Sequence, residues 1–137
     1  MCRKWYTESV KSIPSLSMKR IHASFFRTAA GGEPVRDWLK ALQPIADRKR
    51  IGVDIKTVEF GWPIGMPTCR PLKDGLYEVR TNLSTGRIAR VLFYIDEQNR
   101  MILLHGFIKK TQKTSDEDME LARRNKRLHQ SETRSTK

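Results

Sequence analysis

Cysteine is nearly missing from this sequence. The two present, Cys2 and Cys69, have neither metal-ligand spacing nor a disulfide framework. That excludes a stapled secreted scaffold and suits a reducing, cytoplasmic setting. Long apolar runs are missing as well. None approaches the ~18 residues of a membrane-spanning helix, so no membrane partner is expected. Arg3 and Lys4 make the N-terminus basic, but Glu8, Lys11, Ser12 and Pro14 interrupt what a signal peptide would need as its apolar core. Acidic residues are scarce: 15 Asp and Glu stand against 27 Lys and Arg, a formal net charge of +12 with a pI near 10.2. In a chain of 137 residues, the length of one domain, this balance points to nucleic acid, an acidic partner or an anionic surface. Aromatic residues do not interleave with the cations as they do in single-strand binders, which weighs against a plain nucleic-acid-binding module.

What the chain does have is a patterned stretch from Leu76 to Thr114. Three runs rich in apolar, β-branched and aromatic residues, 76–83, 87–95 and 101–108, are separated by Ser84-Thr85-Gly86 and by Asp96 to Arg100. The pattern predicts an antiparallel meander. A loop centred on Thr85 puts Leu83 opposite Arg87 and Arg80 opposite Arg90. Like charges directly across a sheet destabilise it, so the pair suits an anion, or a partner's carboxylate, between its guanidiniums; the alternative is two surface arginines on a solvated sheet face. Lys109, Lys110 and Lys113 crowd the exit of the last run.

Around this centre the sequence predicts a disordered extension over 1–17, with Met18 as an alternative start, a globular domain over 18–129 and a disordered tail over 130–137. Residues 19–26 alternate loosely and read as a first strand at the edge of the meander. Pro34 suits a helix start, and Val35, Trp38, Leu39 and Leu42 make one apolar stripe. A second helix from Ile45 to Val58 turns Ile51, Ile55 and Val58 inward and Arg48, Lys49, Arg50 and Lys56 outward. Residues 60–71, rich in Pro and Gly, read as a loop whose Trp62, Ile64 and Met66 pack over the core edge. Thr114 or Ser115 followed by Glu117 or Asp118 predicts a capped helix from Asp116 to Leu128. Its apolar content is only Met119, Leu121, Ala122 and Leu128, so the expectation is partial docking or a surface for a partner. The order β-α-α-β-β-β-α predicts an α+β fold: a small, twisted, mostly antiparallel sheet with an N-terminal helical hairpin on one face and a C-terminal helix. The face holding Arg80 and Arg90 is expected to be open.

The segments FGWPIGMP, PLKDGLYEVR, GRIARVLFYI and LLHGFIKKTQKT, followed by an acidic-then-basic helix, resemble the RelE/ParE/HigB superfamily of type II toxins, most nearly its HigB-like, phage-derived branch. The resemblance covers residues 19–128. It implies a RelE-like fold and a cognate antitoxin carrying a helix-turn-helix DNA-binding domain, so that DNA is met only indirectly. RelE- and HigB-like members cut mRNA on the ribosome, whereas ParE-like members poison DNA gyrase without nuclease activity. The branch favours cleavage, with the gyrase poison as the alternative.

In RelE-type cleavage the ribose 2′-hydroxyl attacks the adjacent phosphorus, giving a 2′,3′-cyclic phosphate and a 5′-hydroxyl. A base, an acid and cations for the phosphorane charge are required; no metal or cofactor is. The resemblance makes Arg90 the transition-state clamp, since the family places a catalytic arginine before such a VLFYI run. Arg80 follows as a phosphate binder across the hairpin. Alternation allows only one of Lys109 and Lys110 to join them, and the length of the second turn leaves open which. His105 has a pKa suited to proton transfer near neutrality, although a packed histidine fits its apolar strand equally well. Arg87, Lys113, Lys73, Tyr94, Arg123 and Arg124 are candidates for RNA or phosphate contact. Tyr94 is expected on the same face as Arg90.

Overall fold

The computed structural model describes residues 18–109 and 114–135. The expected extension over 1–17, Lys110 and Lys113 lie outside them. The elements are β1 (His22–Phe25), α1 (Pro34–Ala41), α2 (Ile45–Gly61), β2 (Cys69–Pro71), β3 (Tyr77–Asn82), β4 (Ile88–Ile95), β5 (Arg100–Lys109) and α3 (Asp116–Ser135). The fold is α+β. The five strands form one sheet in the order β1-β5-β4-β3-β2. β1 runs parallel to β5, and all other neighbours are antiparallel.

Turn chemistry sets the register of the meander. Thr85 and Gly86 both adopt positive φ, and the Leu83 amide donates to the Arg87 carbonyl at 2.9 Å. Arg80 therefore pairs with Arg90. At the second turn the Asp96 carboxylate accepts the Gln98 and Arg100 amides at 2.9 and 2.8 Å, while Asn99 takes the left-handed conformation that Asn tolerates. Between Leu92 and Phe93 the ladder to β5 shifts: Leu92 pairs with His105, but Phe93 pairs with Leu103. The extra residue, Leu104, makes a bulge. Its carbonyl is not wasted, because the buried Asn125 amide of α3 donates to it at 2.9 Å.

Two cores lie on the two faces of the sheet. The first gathers Ile21, Val79, Val91, Phe93, Met101 and Leu103 under Val35 of α1 and Ile51, Ile55 and Val58 of α2. Trp62 closes its edge, meeting Tyr77 edge-on at 4.9 Å and Phe93 at 5.9 Å. Trp38 belongs to this core too, and it lies so close over Gly106 that a Cβ there would stand 2.5 Å from the indole ring. The second core gathers Leu76, Leu92, Tyr94, Ile102, Leu104 and Phe107 under Met119 and Ala122 of α3.

Three expectations need correction. The face holding Arg80 and Arg90 is not left open, because α3 packs across it. The run Ile88–Ile95 carries buried side chains on both faces, as strands in the middle of two layers do. α3 continues through Ser135, beyond the limit expected near Leu128. Within the segment read as a loop, Cys69–Pro71 forms an edge strand on β3; its Pro71 is compatible with an edge position.

Candidate functional site

At the hairpin of β3 and β4 the sheet has to accommodate Arg80 directly across from Arg90. The solution is Glu78, two residues before Arg80 and therefore on the same face. Its side chain is completely buried. Oε2 lies 3.0 Å from Arg90 Nη1 and 3.9 Å from Arg80 Nε. Oε1 lies 3.3 Å from Arg70 Nη2 and accepts the Thr114 hydroxyl at 2.6 Å. Three guanidiniums from three adjacent strands share one carboxylate, so the group is net cationic. Burial lowers the pKa of Arg90, and the Glu78 charge beside it opposes that shift.

Access divides the three arginines. Arg90 is wholly buried, whereas the side chains of Arg80 and Arg70 are 16% and 32% exposed. Arg90 thus sits behind the carboxylate, and Arg80 and Arg70 are the members that reach solvent. The expectation that Arg90 itself clamps an RNA phosphate is revised on this ground.

Beside this group, on the same face, His105 pairs with Leu92 while Arg90 pairs with Phe107. His105 Nε2 is 2.7 Å from Asp118 Oδ1, and the ring stacks on Phe107 at 5.3 Å. Ser115 caps α3: its hydroxyl accepts the Asp118 amide at 3.1 Å and donates to Asp118 Oδ2 at 2.7 Å. The helix cap and the histidine therefore share one carboxylate, which orients the imidazole. Lys109 is the last residue of β5, opposite Ile88. Ile88 is two positions from Arg90 on β4; Lys110 lies outside the described residues.

Other candidates go elsewhere. Arg87 turns to the α2 side of the sheet, where its guanidinium lies 3.0 Å from Asp47 Oδ2. Asp47 also takes the Ser84 amide at 3.1 Å and hydroxyl at 2.9 Å, and the backbone bond leads the causes that lower its pKa, against the cost of burial. Arg87 is a hairpin tie rather than a phosphate arm. Tyr94 shares the face of Arg90, as expected, but is buried under α3 with its hydroxyl 2.5 Å from His129 Nδ1 and Lys126 Nζ 5.4 Å from its ring centroid. Arg123 Nε meets Asp74 Oδ2 at 2.6 Å, which pins α3 to the turn before β3. Lys73 and Arg124 are exposed. A cavity of about 590 Å³ opens near Tyr94, Gln98, Lys126 and Gln130; none of Arg70, Arg80 and Arg90 lines it. Among the described residues, no three His, Cys, Asp or Glu side chains converge as a metal site, and no helix is long and apolar enough to cross a membrane.

Sequence reasoning missed Glu78 and Arg70, and read Thr114 and Asp118 only as helix-capping residues. Glu78 was within reach, since a Glu at i−2 from an in-sheet Arg shares its face. Arg70 was hidden because its short strand reads as loop.

A family model, phage-derived protein Gp49-like, matches residues 37–127, about two-thirds of the chain and nearly the whole of this geometry. The chain belongs to the phage-derived Gp49-like family. This family is RelE-like and associated with toxin–antitoxin systems. A search of curated proteins found no match.

Proposed function

We propose that this Gp49-like chain is the toxin of a type II toxin–antitoxin pair, of the HigB-like branch, and that it is a ribosome-dependent endoribonuclease acting on mRNA. The observation that carries the reading is the convergence of Arg70, Arg80 and Arg90 around one buried carboxylate. Planar guanidiniums match a phosphodiester, each binding two oxygens. A purely protein-binding poison has no need of cations set into its sheet.

In this reading Arg80 and Arg70 bind the scissile phosphate and stabilise the charge of the phosphorane. Arg90 positions Arg80 through Glu78. His105, held by Asp118, takes the proton of the 2′-hydroxyl. The 2′ oxygen bonds to phosphorus as the bond from phosphorus to the 5′ oxygen breaks. A lysine of the 109–113 segment gives its proton to the leaving oxygen, and a 2′,3′-cyclic phosphate and a 5′-hydroxyl result. Exposed cations such as Arg124 add sequence-independent contacts to ribosomal RNA, which weaken as salt rises. The partners are the ribosome with its message and an antitoxin with a helix-turn-helix domain, through which alone DNA is reached.

Induced expression of the wild type, Arg80→Ala and His105→Ala in bacteria, with growth followed and mRNA 5′ ends mapped, tests the proposal. Wild type should arrest growth with new cuts in translated messages, and both variants should lose the cuts at equal protein level. Arrest with intact messages and a DNA-damage response would replace this reading with gyrase poisoning.

A further inference from the structure

Helix α2 is apolar on two opposite sides. Ile51, Ile55 and Val58 enter the core, but Ile45, Val53 and Phe60 lie on the outside. With Lys49, Gly52 and Lys56 these outward residues fall at positions 45, 49, 52/53, 56 and 60, a single helical stripe. Val53 is 62% and Ile45 53% exposed. Two hollows meet at Val53. One, of about 470 Å³, lies between Val53, Lys56, Phe60 and Ile64; the other, of about 380 Å³, lies between Lys49, Arg50, Val53 and Asn82.

Gly52 stands in the middle of this stripe and in the interior of the helix. Glycine there costs stability relative to alanine. Among the described residues nothing calls for it, because a Cβ at Gly52 would meet no atom within 4 Å. A glycine that its described surroundings do not need, set beside the exposed Val53 and between Lys49 and Lys56, makes room for another backbone to approach closely. Lys49 and Lys56 alternate with the apolar side chains along the stripe and Arg50 lies beside it, with Asp54 set against them, so the face is net cationic. A second copy of this chain would bring the same cations face to face across a two-fold interface. The N-terminal segment of the chain, with Arg3, Lys4 and Lys11 against Glu8, has the wrong sign too.

We propose that the outer face of α2 docks an amphipathic helix of a partner protein, one with small or aliphatic residues against Gly52 and Val53 and acidic residues over Lys49, Arg50 and Lys56. This surface lies across the sheet from the Glu78 group and does not depend on RNA cleavage.

The test titrates the full-length chain with two synthetic helical peptides of identical leucine-alanine face, one flanked by glutamates and one by lysines. Binding is read by fluorescence anisotropy and folding by circular dichroism. The glutamate peptide should bind and the lysine peptide should not. Val53→Asp and Gly52→Gln should each weaken binding about tenfold or more while leaving the folded spectrum intact, and Gly52→Ala should raise the thermal midpoint of the free chain. No binding of the glutamate peptide would overturn the proposal. So would binding lost in Arg80→Ala but kept in Val53→Asp, which would put the peptide on the cationic face. Equal binding of the lysine peptide, tighter binding after removal of residues 1–17, Val53-dependent self-association in sedimentation, or displacement of the peptide by an RNA oligonucleotide would each assign the face to another occupant.

Discussion

The Glu78 carboxylate lies 3.0 Å from the Arg90 guanidinium, and neither side chain reaches solvent. Two charges taken out of water are tolerable only while each keeps the other and its hydrogen bonds. Removing one should therefore be far worse than a surface substitution. Glu78→Ala is expected to cost about 3–5 kcal/mol, the range for an uncompensated buried charge, read as a lower urea midpoint. Glu78→Gln, which keeps the shape and part of the hydrogen bonding, should cost less.

Asp47 ties the β3–β4 turn to α2 through Ser84 and Arg87. Its pKa is held below the ordinary carboxylate value, foremost by the Ser84 amide. A carboxyl with a depressed folded-state pKa adds stability above its unfolded value and loses it as pH falls through the folded one. Asp47→Asn should therefore be less stable than wild type near neutrality. The gap should close as pH falls through and below the carboxylate range, as urea unfolding across pH would record.

How much of this was legible in the sequence depended on where the information lay. The Arg80–Arg90 register followed from local turn chemistry at Thr85 and Gly86. The closed second face did not, because α3 docks with few apolar residues. Met119 and Ala122 supply its apolar contact, while Asn125 to the Leu104 bulge, Arg123 to Asp74 and His129 to Tyr94 supply the rest. Such long-range polar ties leave no periodicity to read. The bulge itself, which decides the register of His105 and Lys109, likewise has no local signature. Glu78 carried a signal in its spacing from Arg80, but its burial was set by α3 and by a strand too short to recognise.

Gly106 is fixed by its neighbour. A Cβ would stand 2.5 Å from Trp38 Cε3, well inside van der Waals contact, so the indole or the strand must move. Gly106→Ala should destabilise the fold by about 1–3 kcal/mol, as overpacking does. Trp38→Ala should remove the clash, so the two changes together should cost less than their sum in a double-mutant cycle.

Tyr94 offers a check on which residues are structural. Burial, with the Asp96 charge behind it, pushes its phenol up to about 12, and its hydroxyl is engaged by His129. Tyr94→Phe should lower stability by about 0.5–1.5 kcal/mol, the usual net value of such a hydrogen bond, and leave RNA cleavage unchanged.

Cys69 is buried on the short edge strand. Burial first, then the nearby Glu78 charge, raises its thiol to about 11. The thiolate is the reactive form, so alkylation of Cys69 at neutral pH should be negligible in the folded protein and rapid in urea, as peptide mass mapping would distinguish.

The most direct test of the cationic site is cleavage by the purified protein of a message held on programmed ribosomes, wild type against Arg80→Ala. Wild type should leave 2′,3′-cyclic phosphate and 5′-hydroxyl ends. Arg80→Ala, folded by circular dichroism, should cut about 100-fold or more slowly, the usual loss when one charge-stabilising donor is removed. An intact message with wild type, or full-rate cleavage by Arg80→Ala, would contradict the account.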